Sequence, residues 1–436
     1  MPDCWFLPAP TTLPGSRIDA TLGLRRVLRM SHDRVVPGIG GLRFVRQASW
    51  ACAAIHLVHS RQGSAFTNIR VANALEALAC KLVFRSGGPS DEEKDRVRGV
   101  TRLSINHNEP AQWAYSHLRE PRNYVSQPLR QSTTASLTDD AGLGFVAAGP
   151  MRFNTMQLSE RGHELAAAFL GQRVSRSLLR SVLEQWLSAS NPQASGKSIL
   201  AAPEALLGVM RPRQAGSQEC VTVQRCLALP LNKQQAERLQ GDTQRRARFY
   251  HWMAELGQTE DPLTMADIER RLHLERTVAA DAHWVACQEN FYLERFVHGA
   301  RAVLATLIAA FQEGAATMSV TALLAREAIQ EACAQYRLTG AAYAHFVQEY
   351  PRLRPDDLPL DPLQDDPWRI LEGIVAQAPL LLHADGNKLV AGPLMRTPPN
   401  VVVDRDLLGM RDMRDGPWIP KRLRQLQGLT LECARD

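Results

Sequence analysis

The chain lacks the signatures that announce an enzyme. It contains no H-E-x-x-H and no G-x-S-x-G. "NPQASGKS" (Asn191 to Ser198) ends like a phosphate-binding loop, but Asn191 stands where that loop needs its first glycine. The stretch before it also reads as helix rather than strand. "GIGG" at Gly38 fails the dinucleotide pattern, because Arg43 occupies the third glycine position. The eight cysteines (Cys4, Cys52, Cys80, Cys220, Cys226, Cys287, Cys333 and Cys433) form no C-x-x-C pair. Scattered thiols in a chain of 436 residues point to a reducing compartment, not to a disulfide framework. No apolar run approaches the roughly 20 residues that span a bilayer. "ARAVLATLIAAFQEGAA" (Ala300 to Ala316) is too short and carries Arg301. "MPDCWFLPAPTTLPGSR" has no basic region followed by an apolar run, so a cytoplasmic protein without a membrane partner is expected. No repeat of fixed period is present.

Lysine is scarce where positive charge is densest. Residues 1–130 hold 18 Lys+Arg against 10 Asp+Glu, a net of +8, and only Lys81 and Lys94 among them are lysines. The remainder holds 33 against 35, a net of −2. Arginine suits bidentate phosphate contacts, although a GC-rich genome produces the same bias. The asymmetry permits a nucleic-acid partner without requiring one.

What is present is mostly helical spacing. A hydrophobic content of 45% over 436 residues suits two or three domains. Residues 1–36 read as an irregular leader and 37–99 as a basic helical region. Within the latter, "GGLRFVRQASWACAAIHLVHSR" and "FTNIRVANALEALACKLVFR" have apolar positions at helical intervals, with Ser64 or Thr67 as a cap for the second. Ser90 with Glu93 matches a capping box. "TRLSI" reads as a short strand, "PAQWAYSHL" as a short helix, and "SQPLRQSTTASLTDDAGL" as a helix with Ser126 as cap. "GFVAAGPMRFNTMQL" carries a hairpin signal at Gly149-Pro150. Beyond Gly171 the pattern predicts long helices, including one across "KQQAERLQGDTQRRARFYHWMAEL". Residues 172–351 form a helical domain in this reading, 352–366 an acidic proline-rich linker, and 367–436 a C-terminal helix-hairpin region. Asp366 caps the helix there, Pro367 opens it, and Asp385-Gly386 turns the hairpin.

"LSERGHEL" poses a local question, because Gly162 stands in the first turn of a helix where glycine is unfavourable. A residue without a Cβ lets a strand pass close to the helix. Helix, helix, two short strands and a capped helix is the order of a winged helix-turn-helix. The stretch resembles the L-T-x-x-G-x-x-L found where the wing meets the last helix in many bacterial winged-helix proteins, with Leu158, Ser159, Gly162 and Leu165 in those positions. The resemblance covers about 70 residues and makes 100–171 a winged-helix-like domain. Separately, "LRMSHDRVVPGIGGLRFVRQASW" is similar to the opening of large uncharacterised bacterial proteins, some encoded near phage-defence or mobile-element genes.

The winged-helix resemblance makes Gln127 to Ala141 the recognition helix. Gln127, Arg130, Gln131, Ser132, Thr133 and Thr134 then supply groups for base edges and phosphates, and Arg119, Arg122 and Arg152 neutralise phosphates. Asp139 and Asp140 would repel DNA if they faced it.

Other constellations read as structure. Cys52, His56 and His59 share a helical face but lack a fourth metal ligand. His283, Glu289, Glu294 and His298 are expected as exposed or capped polar residues of one long helix. No metal or cofactor is expected. The fold class is mainly α with small β elements, a winged-helix unit and a larger helical C-terminal region. The expected function is non-enzymatic association with double-stranded DNA, as a subunit of a bacterial defence or mobile-element complex, with partner proteins or further copies of the chain. The alternatives are a structural adaptor that binds protein through the same unit, and a metal-dependent nuclease assembled from distant residues.

Overall fold

The computed structural model describes residues 22–59, 66–94, 96–105, 108–125, 128–138, 142–147, 152–238, 243–256, 281–312, 315–353, 355, 357–393, 395 and 421–434. Among the described residues the protein is mainly helical and carries two small antiparallel sheets. The first helices are α1 (Arg25–Val35), α2 (Val45–His59), α3 (Asn68–Arg85), α4 (Val100–Leu103), α5 (Tyr115–Leu118), α6 (Leu129–Leu137) and α7 (Glu160–Leu170). Strands β1 (Arg173–Val174) and β2 (Ser177–Leu178) precede α8 (Leu179–Ser188), α9 (Pro192–Leu200), α10 (Pro203–Met210) and α11 (Ser217–Ala228). Then come α12 (Lys233–Arg238), α13 (Arg245–Leu256), α14 (Asp281–Gln312), β3 (Thr317–Ser319), α15 (Val320–Leu324) and α16 (Glu327–Glu349). The last elements are α17 (Pro367–Ala376), β4 (Leu382–Asp385), β5 (Lys388–Ala391) and α18 (Lys421–Cys433). No helix among the described residues is long and apolar enough to cross a membrane.

Short-range chemistry sets many of these ends. Thr67 accepts from Arg70 N–H at the start of α3. Asn191 accepts from Ala194 N–H and Pro192 opens α9, so "NPQASGKS" lies on a helix start and cannot form a phosphate loop. Asp366 accepts from Trp368 N–H and Pro367 is the first residue of α17, where its missing N–H costs nothing. The Ser90–Glu93 capping box is formed.

The chain divides into two compact units that are interleaved in sequence, not into consecutive segments. One is Met1–Ser31 with Trp284–Pro420, and the other is His32–His283 with Lys421–Asp436. The proposed 367–436 region is accordingly split between them.

The first unit is built on α14, α16, α17 and the sheet β3-β5-β4. Leu293, Phe296, Val303, Leu304 and Leu307 of α14 meet Tyr336 and Tyr343 of α16 and Ile370 and Ile374 of α17 in one apolar core. The β4–β5 hairpin pairs Leu382 with Ala391 and Asp385 with Lys388, and Gly386 supplies the positive φ of its turn. Strand β3, which carried no alternating pattern, joins the other edge of β5. Residues 352–366 are not a free linker. Leu353 and Leu360 are buried, and Tyr336 Oη donates to the carbonyl of Asp361 at 2.7 Å, so the segment is strapped onto α16.

In the second unit, α2 packs against α3, α6 and α7, and both α2 and α3 are buried along nearly their whole length. Three expectations fail here. "TRLSI" is the helical turn α4, closed by Leu103 N–H to Gly99 O at 2.8 Å, with Leu103 buried. The single helix expected over 233–256 is two, α12 and α13, and Leu231 N–H bonds Thr243 O where they meet. Of the four polar residues expected as exposed or capped on α14, His283, Glu289 and Glu294 are buried and His298 is half-buried. His283 is fully buried with its Nε2 2.9 Å from Val35 O, and in the first unit Glu289 accepts from Ser31 Oγ at 2.6 Å. Glu294 is also buried. Each of the first two has a partner distant in sequence, which helical periodicity does not register.

Candidate nucleic-acid interface

Helix α6 is short, and the rest of the unit fixes it. Pro128 at its N-cap offers no side-chain cap. The carboxylate of Glu76, from α3, takes that role: Leu129 N–H lies 2.9 Å from both of its oxygens, and Tyr124 Oη donates to it at 2.6 Å. Burial pushes the Glu76 carboxyl up, opposed by those hydrogen bonds and by Arg98 and Arg130. From α2, Gln47 Nε2 donates to Thr133 Oγ1 and to Ser132 Oγ. Ser136 Oγ donates to Ile39 O at 2.8 Å, so the "PGIGG" segment lies along the back of α6.

The expected strand pair is one antiparallel bridge, Val146 with Leu158, flanked by Ala147 N–H to Gln157 O and Ser159 N–H to Phe145 O. Ser159 caps α7, accepting from Gly162 N–H at 3.2 Å and donating to Gly144 O at 2.6 Å. A Cβ at Gly162 would sit 1.9 Å from Phe145 O. This is why the helix keeps a glycine: the first strand crosses against its first turn. Leu165 is fully buried below it. Between the two bridging segments, the turn Phe153–Thr155 is pinned to the start of α3, with Asn68 Nδ2 donating to Phe153 O and Ile69 N–H to Asn154 Oδ1.

Against this frame the nine sequence candidates separate. Gln127 lies outside the described residues, as do Asp139 and Asp140. Thr133 is fully buried; its hydroxyl accepts from Gln47 and donates to Leu129 O, so it faces the core, not a partner. Ser132 is exposed with its hydroxyl on Leu129 O, and Thr134 is half-buried with its hydroxyl on Arg130 O. Gln131 is exposed. Arg130 donates from Nε to Asn73 Oδ1 at 2.7 Å, and Asn73 Nδ2 reaches Arg119 O at 3.4 Å, so one α3 side chain joins these two arginines. Arg119 also sits over the Tyr115 ring, beside Glu120. Arg122 is exposed. Arg152 is exposed too, next to the Phe153–Thr155 turn, and no bond joins it to the other arginines.

Sequence reasoning missed three members of this neighbourhood. Arg102 is exposed on α4, and its Nη1 donates to Pro121 O at 3.3 Å and to Arg122 O at 2.5 Å. Asn73 and Glu76 are buried on α3 among mostly apolar neighbours. Their three-residue spacing on a face with no solvent was the available signal. Nearby, burial lowers the Lys81 ammonium to about 8. His117 is lowered by burial and by the charges of Lys81 and Arg122.

Not all the N-terminal positive charge reaches the surface. Arg46 is fully buried against Glu219 and over the Phe169 ring, and Arg96 pairs with Glu432 at 3.0 Å. By contrast, Arg102, Arg122, Arg130 and Arg152 have no carboxylate within 4.0 Å among the described residues. Among those residues, no group of three His, Cys, Asp or Glu side chains is arranged to hold a metal. No protein-family model, curated protein or solved structure matches the chain.

Proposed function

We propose that residues 100–171, with α5, α6, the Val146–Leu158 bridge and α7 packed on α2 and α3, act as a winged-helix-like unit that associates with duplex DNA. The observation that carries this reading is the set of arginines without carboxylate partners within 4.0 Å among the described residues: Arg102 on α4, Arg122 in the 121–123 turn, Arg130 on α6 and Arg152 before the Phe153–Thr155 turn. Its support includes the element order and the Gly162 corner. Arg130, Gln131, Ser132 and Thr134 face the duplex in this proposal, with Arg119, Arg122 and Arg152 on phosphates. Thr133 holds α6 in place. A cytoplasmic location rests on the sequence's lack of a signal-peptide pattern and of long apolar runs, and membership of a defence or mobile-element complex on the similarity of "LRMSHDRVVPGIGGLRFVRQASW".

The test is binding of the purified chain to a labelled random-sequence duplex across a salt series, with and without magnesium. Binding that weakens steeply with salt supports the proposal. Charge reversal of Arg122, Arg130 and Arg152 that leaves affinity unchanged overturns it. Cleavage only with magnesium would instead favour a nuclease. An adaptor role is the second reading, favoured by Val100 and Ile105, which are 62% and 53% exposed beside Arg102. It predicts salt-insensitive association with a protein partner and no DNA binding.

A further inference from the structure

We propose that Arg102 is a phosphate-contacting residue, and that the duplex is held on an edge formed by α4, the Pro121–Asn123 turn and Arg130, largely without regard to base sequence. This rests on the duplex-binding reading above.

The geometry of Arg102 carries the inference. Its Nη1 is committed to the carbonyls of Pro121 and Arg122. That fastens α4 to the 121–123 turn and holds a long side chain in one direction. The guanidinium keeps the Nε and Nη2 edge for another partner, and that two-donor edge matches two phosphate oxygens. Fixing the fork in advance reduces the ordering cost of binding. The carbonyls that hold it leave its charge uncompensated, and Arg102 has no carboxylate within 4.0 Å among the described residues.

Arg102 extends a linked series. It bonds the backbone of Arg122; Arg119 lies three residues before Arg122; Asn73 joins Arg119 to Arg130. Arg119 is partly offset by Glu120, which leaves Arg102, Arg122 and Arg130 as the cations of this edge with no carboxylate within 4.0 Å among the described residues, Arg130 also feeling the buried Glu76. Base-reading groups are few by comparison. The N-terminus of α6 is occupied by the Glu76 carboxylate, so no phosphate can seat end-on there. Thr133 faces inward, and the hydroxyls of Ser132 and Thr134 are turned onto the helix's own carbonyls. Gln131 is the one amide on the outer face among the described residues of α6.

Three phosphate contacts give a slope of log K against log salt of about −2.7 for B-form DNA. The experiment is fluorescence anisotropy of the full chain on an A·T-rich and a G·C-rich duplex from low to moderate salt. The variants are Arg102→Gln, Arg102→Lys, Arg130→Gln and, as a control on α17, Arg369→Gln, each checked by thermal melting. Arg102→Gln is expected to reduce the slope by about 0.9 and to weaken both duplexes by the same factor. Arg102→Lys keeps the charge, so the slope stays while affinity falls. Arg369→Gln changes neither. If the wild type binds with a steep slope and Arg130→Gln weakens it but both Arg102 variants do not, this inference fails and the DNA reading stands. A wild type that binds no duplex, or binds without salt dependence, overturns both. Strong preference for one duplex, lost on changing Gln131, overturns the sequence-indifferent part.

Discussion

Arg130 Nε stands 2.7 Å from Oδ1 of Asn73, a residue buried on a different helix. The outermost cation of α6 is therefore held from behind, by a group with no access to a ligand. If Arg130 contacts DNA, Asn73 acts through it. Asn73→Ala should weaken duplex binding in the wild-type background and have no further effect once Arg130 is glutamine. A double-mutant cycle on binding affinity tests this, with a coupling of about 0.5–3 kcal/mol expected for residues in direct contact. Additive effects would show that Asn73 serves stability alone.

Gly162 and Gly373 should respond to alanine with opposite signs. A Cβ at Gly162 overlaps Phe145 O, and backbone cannot swing aside as a side chain can. Overpacking of this kind costs about 1–3 kcal/mol. Gly373 lies inside α17 with nothing within 4 Å of its Cβ position. There the helix should gain about 0.5–1 kcal/mol from the lost chain entropy. Denaturant unfolding of Gly162→Ala and Gly373→Ala measures both.

Glu432 should make stability fall as pH rises through neutrality. Burial pushes its carboxyl up to about 7, against the pull of Arg96, the Val45 N–H and Arg46, with Glu219 adding to the rise. An acid whose pKa is raised on folding binds its proton more tightly in the native state. Its stabilising contribution is complete below the unfolded value near 4.5 and is lost as pH passes about 7. Between pH 5 and 8, Glu432→Gln should therefore gain on the wild type by up to about 3 kcal/mol. Urea titrations at unit pH steps would show it, and a constant difference would refute it.

The thiols should be inert until the chain opens. Cys52, Cys80, Cys220, Cys226, Cys287, Cys333 and Cys433 are all buried. Burial pushes Cys80 up to about 12, and Cys226 and Cys333 to about 11. Iodoacetamide at pH 8 is expected to leave these seven unmodified in the native protein and to label them in denaturant, as read by peptide mass spectrometry.

What was legible in the sequence was local. Asp366-Pro367, Asp385-Gly386 and Ser90 with Glu93 carry their meaning within four residues, and each forms the structure its chemistry predicts. Gly162 was legible as a puzzle whose answer, a close strand, needed only the missing Cβ. The candidate surface was harder. Arg119, Arg122, Arg130 and Thr133 all look alike to a count of polar side chains. Yet Thr133 is turned inward by Gln47, 86 positions earlier, and Arg102 is aimed outward by carbonyls 19 and 20 positions later. The acidic proline-rich stretch is likewise anchored through Leu353 and Leu360, contacts that its composition does not register.

The interleaving of the two units sets an order for synthesis. Helix α18 buries Leu423, Leu426 and Leu429 in the unit that otherwise spans His32–His283, and its Glu432 bonds Arg96 and the start of α2. A ribosome has made everything from Trp284 to Pro420 before it supplies that helix. Until then the nascent unit keeps an open apolar seat, and the half-buried Arg96 lacks its Glu432 partner. A chain cut ahead of Lys421 should therefore expose that seat and be more readily proteolysed than the full chain.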